Sequence, residues 1–377
     1  MNKNKKNIKE NTAVSTPKWF YLILVIIPIV SVFVVEIFLR VINYGMDFTT
    51  FKPISNYYPD KIFFNPDLPF KYFSTQKNVP SVLPDGFDKV KKENAFRVFI
   101  IGGSTAAGWP YVPNASFSRH LKRRLELLCP ENYIEVINCG VSAINTYSLR
   151  DFIPGILEQE PDLILIYAGH NEYYGALGAG SSVSIGNSKF LIHTYLWLKD
   201  FKITQVLEDI ISWGYGLFGS EDKENEFETN VTLMARMIGE SLITFDSNTY
   251  WNGINQFEGN LRDILKMIKN NEIPVIIGKL TSNTLDLKPF YSMATNEFPE
   301  ANDIFKLGKA AYDEGNISKA DSLLTYAKEL DALRFRAPKK INEVIEKLGK
   351  EFNVKIVDID SIFRAHSPNG IVGYNLT

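Results

Sequence analysis

Five short apolar stretches, separated by helix-length segments, constrain this chain more than any other feature. They occupy residues 96–101, 134–138, 162–169, 274–278 and 354–359. A continuous apolar run that closes on glycine reads as a strand buried on both faces. Strands alternating with helices build a parallel sheet covered by helices on both sides, an α/β architecture. The first stretch, Phe96-Arg-Val-Phe-Ile-Ile-Gly-Gly-Ser-Thr-Ala-Ala-Gly108, is the most informative. Ligands of open α/β sheets bind beyond the carboxyl ends of the strands, which is where Ser104 falls. Gly102 and Gly103 permit a sharp turn and close approach of a substrate. The same residues also fit a structural turn with Ser104 capping a helix.

Ahead of the sheet the chain has a different character. Residues 1–18 carry Lys3, Lys5, Lys6, Lys9 and Lys18 against Glu10, and residues 19–35 then contain no charge. That run is at the short end for a membrane-spanning helix and long for a signal-peptide core. No alanine occurs between Ala13 and Ala95 to form a small-residue cleavage site. Residues 19–42 therefore read as an uncleaved anchor, the alternatives being a cleaved signal or a buried core helix. Lysines before the helix place residues 1–18 in the cytoplasm and the rest outside. Residues 43–95, rich in aromatics, Pro and Asn, read as a juxtamembrane spacer.

Among 377 residues, 45% are hydrophobic and 13% aromatic, enough for a substantial core. A formal charge of −2 offers no footprint for nucleic acid. Two cysteines, Cys129 and Cys139, allow neither a zinc cage nor a disulfide framework, and two separate buried thiols are expected. Helical insertions are expected at about 176–250, with a charged break at 221–228, and at about 300–349. In the second, Gly308, Gly315, Ala320 and Ala327 fall on the small-residue positions of a tetratricopeptide repeat. One unit cannot stack, so it reads as a helical hairpin on the host domain, with a protein partner open.

Three predicted strand ends bring Ser104, Gly140 and Asn171 to one rim. A serine nucleophile needs donors aimed at the oxygen that becomes negative in the tetrahedral intermediate. The N–H of Ser104, the N–H of Gly140 and the carboxamide of Asn171 are three candidates.

At this point the chain resembles the SGNH (GDSL-type) hydrolases. Gly102-Gly-Ser-Thr105 resembles their Gly-Asp-Ser block, Asn138-Cys-Gly140 their glycine block, and Gly169-His-Asn-Glu172 their Gly-x-Asn-Asp block. Three blocks in order, each closing a strand, form a specific signal. The segments Gly169-His-Asn-Glu-Tyr-Tyr-Gly175 and Ser282-Asn-Thr-Leu-Asp-Leu-Lys-Pro-Phe290, with the hairpin, are similar to a membrane-anchored bacterial branch.

The resemblance covers residues 96–377 and implies a three-layer, flavodoxin-like fold and ester hydrolysis without metal or organic cofactor. The implied substrate is a small-molecule or carbohydrate acyl ester of the cell envelope. An O-acyltransferase and a catalytically inactive binding protein are the alternatives. Gly103, His170, Glu172 and Asn283 are candidate substrate-binding residues, with Asp286 a buttress beside Asn283.

Gly103 and Glu172 depart from the family pattern, each standing where an aspartate is usual. The family's general base is the histidine of an Asp-x-x-His block. Here His120, His170, His193 and His366 follow Phe117, Tyr167, Phe190 and Phe363 at that spacing. The expectation is that the chain is truncated before that block. A substitute base, His366 helped by Asp358 or Asp360, is the alternative.

Overall fold

A computed structural model describes residues 17–73, 79–181, 188–218 and 242–377. The charged break at 221–228 lies outside them. The chain divides into two units, Met1–Met46 with Leu198–Asp222, and Asp47–Trp197 with Lys223–Thr377.

The larger unit opens with a small antiparallel sheet of β1 (Phe51–Lys52), β2 (Lys61–Phe64) and β3 (Gly86–Asp88). Beyond it stands a five-stranded parallel sheet of β4 (Ala95–Gly102), β5 (Tyr133–Gly140), β6 (Leu163–Tyr167), β7 (Val275–Gly278) and β8 (Lys355–Val357). Its spatial order is β5-β4-β6-β7-β8. The order reverses between β4 and β6, and that switch point opens the crevice in which doubly wound sheets bind ligands.

Side chains alternate along the strands, so each face gathers its own core. Phe99, Ile101, Ile137, Ile164 and Ile166 join the larger cluster. They meet Phe152 and Ile156 of α4 (Thr146–Leu157), Phe257 and Leu261 of α7 (Asn248–Asn270), and Ile341 and Ile345 of α10 (Lys339–Phe352). Val98, Ile100 and Val136 point the other way, against Ala106 of α2 (Ser104–Ala107) and Leu121 and Leu125 of α3 (Phe117–Leu128). These are the three layers that the alternating pattern predicts.

Three expectations need revision. Residues 47–88 are part of the domain rather than a spacer: Phe64, Tyr72 and Phe87 lie in its core, and the Phe51 ring meets the edges of Phe87 and Phe99. The second insertion is shorter than 300–349. α8 (Ala301–Asp313) and α9 (Ile317–Leu330) form the hairpin, with Ala311, Ala320 and Leu324 buried between them. α10 instead packs on the sheet core and feeds β8. Finally, Cys139 is buried but Cys129 is exposed, and both are free.

An ion pair is buried where the two sheets meet. Arg97 of β4 donates through Nε to Glu135 of β5 at 2.7 Å, and its other nitrogens reach the carbonyls of Gln159 and Asp88. Glu135 also accepts the Asp88 N–H at 2.9 Å, so the pair joins the small sheet to the large one.

The smaller unit contains α1 (Lys18–Val41), the one helix among the described residues long and apolar enough to cross a membrane. α5 (Lys189–Lys199) carries the chain from one unit into the other, and α6 (Lys202–Phe218) follows it.

Candidate active site

Strand register brings the predicted residues to one rim. Gly102 pairs with Gly140 on one side and with Tyr167 on the other, so the turns after β4, β5 and β6 leave the sheet at one level. α2 begins at Ser104, whose N–H, like any in a first helical turn, has no partner within the helix. The side chain of Ser104 is partly exposed.

Asn171, nearly buried, lies over this turn. A Cβ placed on Gly103 would come 2.7 Å from Asn171 Nδ2 and near nothing else but that carboxamide. The Asn171 loop is tied down from three sides. Gly175 N–H donates to the Asn171 carbonyl at 2.7 Å. The hydroxyls of Tyr173 and Tyr174 donate to the carbonyls of Tyr250 and Ala332. The third tie is Glu172.

Glu172 is a correction. It is fully buried. Its carboxyl accepts from Thr146 Oγ1 and Gln256 Nε2, both at 2.6 Å, and from the Thr146 N–H at 3.2 Å. It thus binds the Asn171 loop to α4 and α7. Burial pushes its pKa up to about 7, against the hydrogen bonds that favour the ionised form. At neutral pH this keeps much of the negative charge away from Asn171.

On the other flank, Ala337 N–H donates to His170 Nδ1 at 3.3 Å. Burial, helped by Lys328, lowers His170 to about 4, so it is neutral at pH 7. The ring packs against Tyr167 at the strand end.

These shifts carry opposite pH signatures. Folded Glu172 holds its proton from 4.5 up to about 7, so its share of stability is lost as pH rises through that window. His170, lowered from 6.5, loses its share as pH falls from 6.5 toward 4. Comparing the wild type with Glu172→Gln isolates the first effect. Between pH 4.5 and 8 the wild type should lose about 3 kcal/mol more stability than the variant in urea unfolding. Parallel pH profiles would show that Glu172 ionises normally.

Gly140 also differs from expectation. Its N–H donates to Asn138 Oδ1 at 2.9 Å and is not directed at Ser104. Its bareness serves α2: an added Cβ would collide with the backbone at Ala107 and lie 2.8 Å from the Ala106 carbonyl carbon. Asn138 is the residue that sequence reasoning passed over. Its Nδ2 reaches the Ala106 carbonyl at 2.8 Å and Ser118 Oγ at 3.0 Å, fixing α2 against β5. Its signal in the sequence is its place at the start of the Asn138-Cys-Gly140 block, two residues before the glycine that closes a strand.

A cavity of about 190 Å³ opens beside this turn, lined by Ala107, Trp109, Asn138, Gly140, Ser142 and the Arg119–Asp85 ion pair, among others. Its rim includes Trp109, which is mostly exposed.

The remaining candidates serve structure. Asn283 caps the following turn, its Oδ1 accepting the N–H groups of Asp286 and Leu287, while its carbonyl accepts from Arg336. Asp286 accepts the Tyr374 N–H at 2.9 Å. No histidine is hydrogen-bonded to Ser104: His120 and His366 are exposed, and His193 faces Arg150. The aspartates offered to His366 are engaged elsewhere. Asp358 caps α11 (Ile359–Ala365) and pairs with Lys279, and Asp360 pairs with Arg364. Among the described residues, no cluster of three or more His, Cys, Asp or Glu side chains converges as metal ligands would.

Gly103→Ala tests the placement of Asn171. Gly103 has φ −83°, which alanine adopts freely, so the added methyl meets only a movable carboxamide. Stability should change by under about 0.5 kcal/mol while ester hydrolysis falls about tenfold or more. Equal melting curves with equal rates would mean that the position of Asn171 is immaterial.

No family model and no curated protein matches this chain. Solved structures do. The SGNH-hydrolase family esterase AlinE4 is 11% identical, covering 71% of this chain and 77% of its own, with a TM-score of 0.32. A mutant of Axe2, an acetyl-xylooligosaccharide esterase from Geobacillus, is 14% identical over 71% and 78%, with a TM-score of 0.32. The esterase EstA from Pseudoalteromonas sp. is 11% identical over 73% and 82%, with a TM-score of 0.33. Similarity at that level transfers neither activity nor residue roles, and the chemistry of this rim rests on its own geometry.

Proposed function

We propose that this protein is a membrane-anchored, extracytoplasmic serine hydrolase of acyl esters. The observation that carries the proposal is the Asn171 carboxamide lying over the turn that presents Ser104, with no hydrogen bond of its own among the described residues. Ser104 Oγ attacks the ester carbonyl carbon, and the carbonyl π pair moves onto oxygen. Asn171 Nδ2 and the Ser104 N–H donate to that oxygen. Collapse expels the alcohol with the serine proton, and water then releases the acyl group. Gly140 shapes the turn, since its N–H is taken up by Asn138.

Lysines before α1 favour a cytoplasmic N-terminus. An extracytoplasmic site suits an acylated envelope carbohydrate, on which a sugar hydroxyl replacing water would make the same site an O-acyltransferase. One observation favours a non-catalytic binding role: no histidine is hydrogen-bonded to Ser104.

Asn171→Ala in the full-length protein discriminates between these readings. The hydrolase reading predicts a loss of about 10²–10³ in kcat on a p-nitrophenyl ester, with KM nearly unchanged, because the lost donor acts mainly in the transition state. Wild-type protein without turnover, binding an acylated glycan equally well with or without Asn171, would establish the binding role.

A further inference from the structure

α6 is built inside out for a helix packed on protein. Ile203, Val206, Leu207, Ile210 and Ile211 form one stripe at helical spacing, and Gln205, Glu208, Asp209 and Ser212 form the opposite side. A docked helix normally turns its apolar stripe inward. Here the polar side makes the attachments. Gln205 exchanges hydrogen bonds with the Met46 backbone, the Tyr44 hydroxyl donates to Asp209 at 2.5 Å, and Lys199 pairs with Glu208 at 2.6 Å. The apolar side is left outward beyond the half-buried Ile203 and Val206: Leu207, Ile210 and Ile211 are each more than half exposed, and Trp213 is 69% exposed.

The depth of this face is set by Glu36. Its two carboxylate oxygens accept the N–H groups of Lys202 and Ile203, at 3.1 and 3.0 Å, while Arg40 holds it from the same helix at 2.7 Å. Glu36 is the first charge after the uncharged run at 19–35, which spans about 25 Å at 1.5 Å per residue. That is close to the thickness of the hydrocarbon layer, about 30 Å. The start of α6 is therefore latched where hydrocarbon gives way to headgroups. Glu208 and Asp209 keep α6 itself from spanning.

We propose that α6 lies in the outer membrane–water interface, its Leu207–Ile210–Ile211–Trp213 face among lipid headgroups and upper acyl chains. An amphipathic helix with these proportions sinks its apolar face to that boundary, and Trp213 suits the interfacial belt. The occupant is lipid because α6 is fastened to α1 at Glu36, where the apolar run of α1 ends, and the proposal rests on α1 being a membrane span. It is independent of the chemistry at Ser104.

The test uses full-length protein in phosphatidylcholine–phosphatidylglycerol vesicles, with Cys129→Ser as background and nitroxide labels on Leu207→Cys, Ile210→Cys, Ile211→Cys and Ser212→Cys. The first three labels should favour collision with oxygen over a water-soluble nickel chelate several-fold more than the label at 212. Equal access to the chelate at all four would overturn the proposal. So would immobilised spectra closed to both quenchers, which would mean that protein covers the face. Carbonate extraction reports on α1 separately: release from the vesicles with the label pattern intact would remove the anchor and leave α6 bound on its own.

Discussion

Ser104→Ala should abolish covalent labelling by a fluorophosphonate and lower ester hydrolysis about 10³-fold or more, while the melting curve stays in place. The magnitude follows from losing the nucleophile itself, since what remains is only the oxyanion donors and binding. The structural cost is small because Ser104 Oγ makes no hydrogen bond among the described residues and its side chain is partly exposed. Intact-mass spectrometry after probe treatment checks both forms. Four other serines lie around the adjoining cavity: Ser116 and Ser118, buried and hydrogen-bonded to each other, Ser142, and the exposed Ser81. Labelling that persists in Ser104→Ala and maps to Ser142 would move the nucleophile to the turn after β5.

Arg97→Leu has the largest expected effect on stability. The Arg97 side chain is 1% exposed and Glu135 6%, so the substitution strands a carboxylate in the core with only the Asp88 N–H as donor. Breaking a buried pair from one side costs about 3–5 kcal/mol, a large part of a typical domain's stability. Leucine at both 97 and 135 removes the stranded charge, and the double variant should recover most of the loss. Urea unfolding of the three variants measures this. A single variant within about 1 kcal/mol of the wild type would mean that water reaches Glu135.

Much of this architecture was legible because its signals are local. Apolar runs closing on Gly102, Gly140 and Gly278 identify three strand ends without knowledge of their neighbours, and the uncharged run at 19–35 marks α1 by length and composition. Ser104 and Asn171 were legible as residues following such strands. What escaped depends on partners distant in sequence. Glu172 looks like a pocket residue until Thr146 and Gln256, 26 and 84 positions away, close around it. Gly140 looks like an oxyanion donor until Asn138 takes up its N–H. The small sheet escaped because β1 has two residues, too few to show a period. The aspartates near His366 suggested a base, but Lys279 and Arg364 already engage them.

The most direct test is a crystal structure of the full-length protein after reaction with a phosphonate ester. A covalent bond to Ser104 Oγ is predicted, with the phosphonyl oxygen about 3 Å from both Asn171 Nδ2 and the Ser104 N–H. An adduct on another serine, or a phosphonyl oxygen turned to solvent with Asn171 out of reach, would contradict it.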